Sequence, residues 1–191
     1  MKIDVELSPK SVKEAIKAIK KQRAVLTDKA IPEFMQLAAD WIINRANEIL
    51  DRSDIGEEVK SAIFRAWDTQ WVGVNHLKVI NHSWHSAYVE FGVGVIGGVF
   101  DHPNASKTNW QYNVPTEHKD SQGGWSFIIN DEDKLDIPED RILERLVSVD
   151  GKIRIYTRGT QGVWYLFNAV EDFKINYQHK LWEKIKKKYW S

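Results

Sequence analysis

Two stretches of helical apolar periodicity bracket this chain, and the residues between them do not share that period. Ile31, Phe34, Leu37, Ala38, Trp41 and Ile42 keep the i, i+3, i+4, i+7 rhythm, and Leu166, Val170, Phe173, Tyr177, Leu181 and Ile185 form a seam near the end. Such spacing puts the apolar groups on one face of a helix, so it predicts one helix from about Thr27 to Asp51 and another from about Tyr165 to Tyr189. Pro32 is tolerated near the first turn of the earlier helix, where backbone N–H groups have no partner anyway. Ahead of it, Val12, Ala15, Ile16 and Ile19 make a stripe flanked by Lys10, Lys13, Lys17, Lys20 and Lys21. A third helix is predicted from Asp54 to about Trp67, with Asp54 and Glu57 as a weak capping box and Ile55, Val59, Ile63 and Trp67 on one face.

The middle has another character. Thr69 to Asn81 is rich in β-branched and aromatic residues and reads as one or two strands. Trp84, Tyr88 and Phe91 fall at i, i+4, i+7 and are followed by Gly92, which predicts a short helix with a glycine C-cap. 'GWSFII' predicts a strand, and 'VSVDGKIRIYT' a hairpin turning at Asp150-Gly151. No helical period is visible from Gly92 to Gly124, which predicts a long loop over about residues 95–124. The class is therefore α+β in one domain spanning 1–191. Helices occupy 1–67, a central, mostly antiparallel sheet with the loop insertion occupies 68–160, and the long C-terminal helix (161–191) packs on the sheet.

Composition removes several functions. With no cysteine, a disulfide scaffold, a zinc–thiolate site and a cysteine nucleophile are all excluded. Lys plus Arg and Asp plus Glu number 27 each, so no whole-molecule field draws the chain to nucleic acid. The longest apolar runs fall far short of the ~20 residues needed to span a bilayer, and 'MKIDVELSPK' has no apolar stretch resembling a signal peptide. Nine tryptophans are many for this length, and Trp is enriched where protein surfaces bury one another.

Gly92, Gly94 and Gly97 have the letters of a dinucleotide-binding turn, G-x-G-x-x-G. That turn needs a strand before it and a helix opening at its last glycine, whose free N–H groups hold the pyrophosphate. 'GGVFDHPNAS' follows instead, so the glycines are read as allowing positive φ and close backbone approach. His76, His82 and His85 form the one candidate metal or small-ligand cluster, the basis of an enzyme reading. On a strand, His82 and His85 would point to opposite faces; on a helix they could converge, but a third ligand would have to come from elsewhere, with no thiol available. 'DEDKLDIPED' (131–140) has six acids but no calcium-loop order, and reads as a solvated acidic loop. No G-x-S-x-G surrounds a serine. The lysines of residues 10–23 and of 'KLWEKIKKKYW' read as wet helix faces, and contact with DNA as incidental.

Taken in order, 'NHSWHSAYVEFGVG', a long variable loop, 'GGWSF' and 'YTRGTQGVWYLFNAVEDF' resemble the tail-completion (neck, head–tail joining) proteins of long-tailed bacteriophages and prophages. Ala87 to Gly92 is similar to that family's tyrosine/valine–Glu–aromatic–Gly stretch. Gly159 to Ala169 is similar to its glycine–spacer–Pro-Phe–Ala stretch, with Val163 and Trp164 where Pro and Phe are expected. A Thr-Gly-x-Leu-x-x-Ser-Ile segment common in the family is represented at most by 'DIGEEVKSAI'. The resemblance implies a non-enzymatic virion protein without cofactor or metal, assembled in the bacterial host cytoplasm and located in the virion neck. It would form a hexameric or dodecameric ring between a head-side connector and a tail-side terminator or tube protein; a tail terminator would look similar. It implies subunit or partner contacts at Trp84, Tyr88, Glu90, Phe91, Gly92, Gly94, Trp110, Tyr112, Trp164 and Trp182, with the closing helix covered in part by assembly.

Overall fold

A computed structural model describes residues 9–73, 75–99, 101–110, 125–129, 142–147, 153–157 and 159–190. The class is α+β, as the alternation of periods requires. The chain divides into two compact units, each drawn from separate stretches of sequence. Unit 1 comprises residues 1–45, 67–80 and 169–191, and unit 2 comprises 46–66 and 81–168. The division falls inside two helices, so it does not follow the helix–sheet–helix order seen along the sequence.

Unit 1 is built on helices. Helix α1 (Pro9–Val25) runs through a π-helical turn, Leu26–Ala30, into α2 (Ile31–Asp51). The expected break at Thr27 is replaced by that turn, in which the Ile31 N–H reaches back to the Leu26 carbonyl. The physical reason is Pro32, which offers no N–H to the ladder, so the wider turn comes where one regular bond is lost in any case. The closing helix is interrupted in the same way: α7 (Tyr165–Asp172), a π-helical turn at Phe173–Tyr177, then α8 (Gln178–Trp190). Its seam advances by four residues from Phe173 to Tyr177, Leu181 and Ile185. In a regular helix each such step drifts by about 40°; the wider turn absorbs part of that drift.

The seam is covered by α2. Ala30, Ala38, Phe173, Leu181 and Ile185 are buried, with Phe34, Trp41, Tyr177, Trp182 and Tyr189 packed around them. Trp41 stacks on Tyr177 with centroids 5.1 Å apart, and Phe34 meets Trp182 edge-on at 5.5 Å. Arg45 bonds Asp172 at 2.7 Å, and Glu33 receives both Lys188 and the Tyr189 hydroxyl at 2.6 Å. The Lys188 bond, followed by that from Tyr189, holds the Glu33 carboxyl below its ordinary range. The closing helix thus packs on α2 where a sheet was expected. Trp182 and Tyr189 are half-buried against the core of unit 1, while Ile175 and Trp190 on the same helix remain exposed. Of the one or two strands expected over Thr69–Asn81, two are present, β1 (Trp67–Trp71) and β2 (Leu77–Asn81), paired with each other.

Unit 2 carries α3 (Glu57–Phe64), α4 (Trp84–Phe91) and two small sheets. Strands β3 (Gly92–Val93) and β7 (Gly159–Gln161) pair antiparallel, Gly92 opposite Gln161. Strand β6 (Ile153–Thr157) lies between β4 (Trp125–Ile129) and β5 (Ile142–Val147), antiparallel to both, with a bulge between Ile142 and Glu144. Among the described residues the expected single sheet is thus three small ones. The strand at 'GWSFII' and the hairpin pairing are present, while Asp150 and Gly151 themselves lie outside the described residues. The stretch expected to be a loop holds short helices α5 (Gly94–Val99) and α6 (Ala105–Thr108). Three glycines in or beside α5 hide any apolar period, and its packing against β7 overrides their poor propensity. The Asp54 capping box does not form; Gly56 stands at the N-cap of α3 without a side-chain bond. Lys60 is buried nearby, its ammonium donating to the Asp51 carbonyl at 3.0 Å and to Glu57 at 2.9 Å.

Because Phe173 joins the π-turn to the core of unit 1, Phe173→Ala should destabilise the chain by about 3–5 kcal/mol in urea unfolding. Glu33→Gln, at a largely solvated pair, should cost no more than about 1 kcal/mol.

Candidate functional site

Helix α4 has an unusual distribution of chemistry, with a carboxylate inside and large rings outside. Val89 and Glu90 are buried, whereas Trp84 is 72% exposed and Tyr88 47% exposed. Gly92 ends the helix at φ +81°, the left-handed conformation that glycine accepts most readily, and its N–H reaches the Tyr88 carbonyl. This is the short helix and glycine cap expected from the sequence.

Glu90 is held from three sides. Its Oε2 accepts the Leu166 N–H at 2.8 Å, and its Oε1 accepts the Phe167 N–H at 2.8 Å and His102 Nε2 at 3.0 Å. Leu166 and Phe167 lie in the first turn of α7, whose N–H groups have no partner within the helix. A carboxylate there is also favoured by the positive end of the helix dipole. His102 is itself buried, and its Nδ1 accepts the Asn104 N–H at 3.0 Å. Nε2 therefore carries the hydrogen and donates it to Glu90. Both ring nitrogens are thus engaged, and His102 ties the 'DHPN' turn to Glu90.

The main chains close on each other at the same place. The Val163 N–H donates to the Val89 carbonyl at 2.7 Å, and the Trp164 N–H to the Glu90 carbonyl at 3.2 Å. A Cβ added at Gly92 would sit 2.5 Å from the Gly162 nitrogen, and one at Gly162 would collide with the Glu90 carbonyl oxygen. This settles what the first glycine of G-x-G-x-x-G does: the backbone that approaches it is the protein's own. A short helix does follow, against expectation, but Gly97 lies within it and Gly92 is already filled by Gly162. Trp164 sits at φ +55°, a strained conformation for a bulky residue. It is held by its bond to Glu90 and by the Asn168 N–H on its carbonyl.

Rings connect this clamp to the surface. Trp84 meets Tyr88 edge-on at 6.0 Å, Tyr88 meets Trp110 at 5.7 Å, and Trp110 stacks on Phe91 at 5.0 Å. Phe91 lies 4.4 Å from the His102 ring, which also contacts Trp164 and Phe167. The buried indole nitrogens of Trp110 and Trp164 have no hydrogen-bond partner among the described residues. Tyr165 is fully buried and shares a 2.6 Å hydrogen bond with Ser86 on α4. Burial, aided by the charge of Glu90 and opposed by Ser86, pushes its hydroxyl up to about 12.

Of the residues expected at a contact surface, Trp84, Tyr88, Phe91, Trp110 and Trp164 come together here. Glu90 and Gly92 lie beneath them and act within the chain; Gly94 opens α5. Tyr112 and the acids of 131–140 lie outside the described residues. Trp182 belongs to unit 1, where it lines a shallow apolar cleft with Leu26 and Trp190. His76 and His82 are exposed, and the His85 ring lies tilted against that of its neighbour Trp84, with centroids 3.6 Å apart. Desolvation lowers the His85 pKa, against the pull of Glu58. Among the described residues, no three His, Cys, Asp or Glu side chains could together hold a metal ion. His102 was not singled out from the sequence; its one signal is the turn-forming 'DHPN', where a side-chain acceptor captures an N–H two residues on. No protein-family model, curated protein or solved structure matches the chain.

Gly92→Ala should destabilise the chain by at least about 2 kcal/mol, because it adds a collision to an unfavourable φ. Gly73, at φ +75° with open space around its Cβ position, is the control: Gly73→Ala should cost about 1 kcal/mol. A second expectation concerns alkali. The folded-state pKa of Tyr165 is raised, so the folded chain holds its proton longer than the unfolded chain. Stability should then fall as pH rises from about 10 towards 12, by up to about 1.4 kcal/mol per pH unit. Tyr165→Phe should flatten that arm in denaturant titrations across this range.

Proposed function

We propose that this chain is a structural subunit of a tailed-bacteriophage neck, a tail-completion protein that joins head connector to tail by forming a ring with its own copies. One observation carries the reading. The two stretches on which the family resemblance rests, Ala87–Gly92 and Gly159–Ala169, are nearly seventy residues apart in sequence, yet they interlock through Glu90, the Gly92–Gly162 contact and the β3–β7 pair. Short motifs that recur together because they build one joint are what a structural family would keep.

The same joint sets out a working surface. Its inner half is fully engaged in protein contacts, which leaves the outer rings of Trp84 and Tyr88 to meet another subunit. Large, rigid aromatics over a desolvated base are the usual anchors of such contacts. In a ring each subunit offers one patch to a different patch on its neighbour, and rotation closes the set. The chemistry of this reading is complementarity of surfaces, with no reacting atoms and no resident cofactor. A tail-terminator ring at the adjoining position would use the same surface logic.

Particles assembled without this chain should accumulate as filled heads and finished tails that do not join. Electron cryo-microscopy of complete particles should find the chain between connector and tail tube. Its location elsewhere, or stoichiometric metal in the purified protein with loss of stability on chelation, would overturn the reading in favour of a small metal- or ligand-binding enzyme.

A further inference from the structure

Helix α1 is amphipathic, and among the described residues none covers its apolar face. None of its described side chains is buried, and Val12, Ile16 and Ile19 are 40%, 48% and 56% exposed. Helices of globular proteins owe most of their stability to the packing of such a stripe. Around the stripe stand Lys10, Lys13, Lys17, Lys20, Lys21 and Arg23, opposed within the helix by Glu14 alone. A second α1 would therefore be repelled from this face, and its occupant must be acidic.

The neutral total of the chain conceals where that acid lies. Unit 1 contains 16 Lys and Arg against 10 Asp and Glu, whereas unit 2 contains 11 against 17. The two units thus carry about +6 and −6. Unit 2 displays part of its excess at one place: Glu48 and Asp51 at the end of α2, Asp54 in the turn, and Glu57 and Glu58 in the first turn of α3 are all exposed, outnumbering the exposed Arg52 among them and the Lys60 that Glu57 holds. Each copy thus carries both halves of a charge-complementary pair, and unlike patches meet in a head-to-tail contact, the kind that closes rings or extends filaments.

We propose that the apolar, lysine-flanked face of α1 docks on the acidic α2–α3 corner of unit 2 in a second copy of this chain. Val12, Ile16 and Ile19 supply the buried area, while the lysines fix partner and direction. This deepens the proposed ring, on whose self-assembly it rests, by naming one of its contacts.

Light scattering of the full chain over a range of concentrations tests it. At low salt the average mass should rise with concentration, and high salt should return it towards the monomer. Ile16→Asp with Ile19→Asp should weaken association about tenfold or more while circular dichroism retains the helical signal. A charge exchange removes any doubt about folding. Lys13→Glu with Lys17→Glu in one variant, and Asp54→Lys with Glu58→Lys in another, should each abolish association alone and restore it on mixing. Failure of the mixture to associate overturns the proposal. So does a wild-type chain that stays monomeric at every concentration, or one that binds phosphatidylglycerol vesicles through α1 without self-association. If the α1 variants still assemble like wild type, this contact is wrong while the ring stands; absence of the chain from the neck removes the ring itself.

Discussion

Three N–H groups converge on the two oxygens of Glu90, and much of unit 2 is arranged around that convergence. A buried carboxylate with unmatched oxygens is costly, as is a buried helix start with unmatched N–H groups. Here each solves the other's problem: the side chain from α4 supplies what the first turn of α7 lacks, and His102 takes up the remaining capacity. Bringing α4 close enough requires the neighbouring backbones almost to touch, which explains the facing glycines at 92 and 162. It also accounts for the left-handed Trp164, held between Val163 and Tyr165 where the chain must turn into α7.

The two units meet their electrostatic needs differently. Unit 2 satisfies a buried carboxylate with hydrogen bonds and displays acids on its surface. Unit 1 buries aromatics between α2 and the closing helix and displays lysines, some paired at the surface, as Lys186 is with Glu183 and Lys188 with Glu33. Opposite charge in separate units leaves the sum neutral while each unit keeps its own sign. Overall composition, with equal acids and bases, conveys nothing of this.

Much of the fold was legible because apolar spacing reports what it must bury. The seam from Phe173 to Ile185, the stripe from Phe34 to Ile42 and the Trp84–Phe91 helix with its Gly92 cap all follow from periodicity and one conformational rule. What escaped notice depends on tertiary contact. Helix α5 is too rich in glycine to show a period, and the division of strands among three sheets depends on pairings that alternation does not specify. At the site, the outward rings were legible as aromatic residues in search of a surface. The inward role of Glu90 was not, because its partners are backbone N–H groups more than seventy residues away, and backbone leaves no mark in sequence. His102 was hidden for the same reason: what distinguishes it is the carboxylate it faces.

The π-helical turn at Leu26–Ala30 has a mechanical consequence. With Pro32 withholding its N–H just beyond it, the hydrogen-bond ladder lacks a bond where α1 passes into α2. Bending concentrates where a ladder is sparse, which makes this turn the natural pivot and α1 an outrigger whose bearing is set by whatever grips it. A chain made this way can fit neighbours at slightly different angles without disturbing the aromatic core of unit 1.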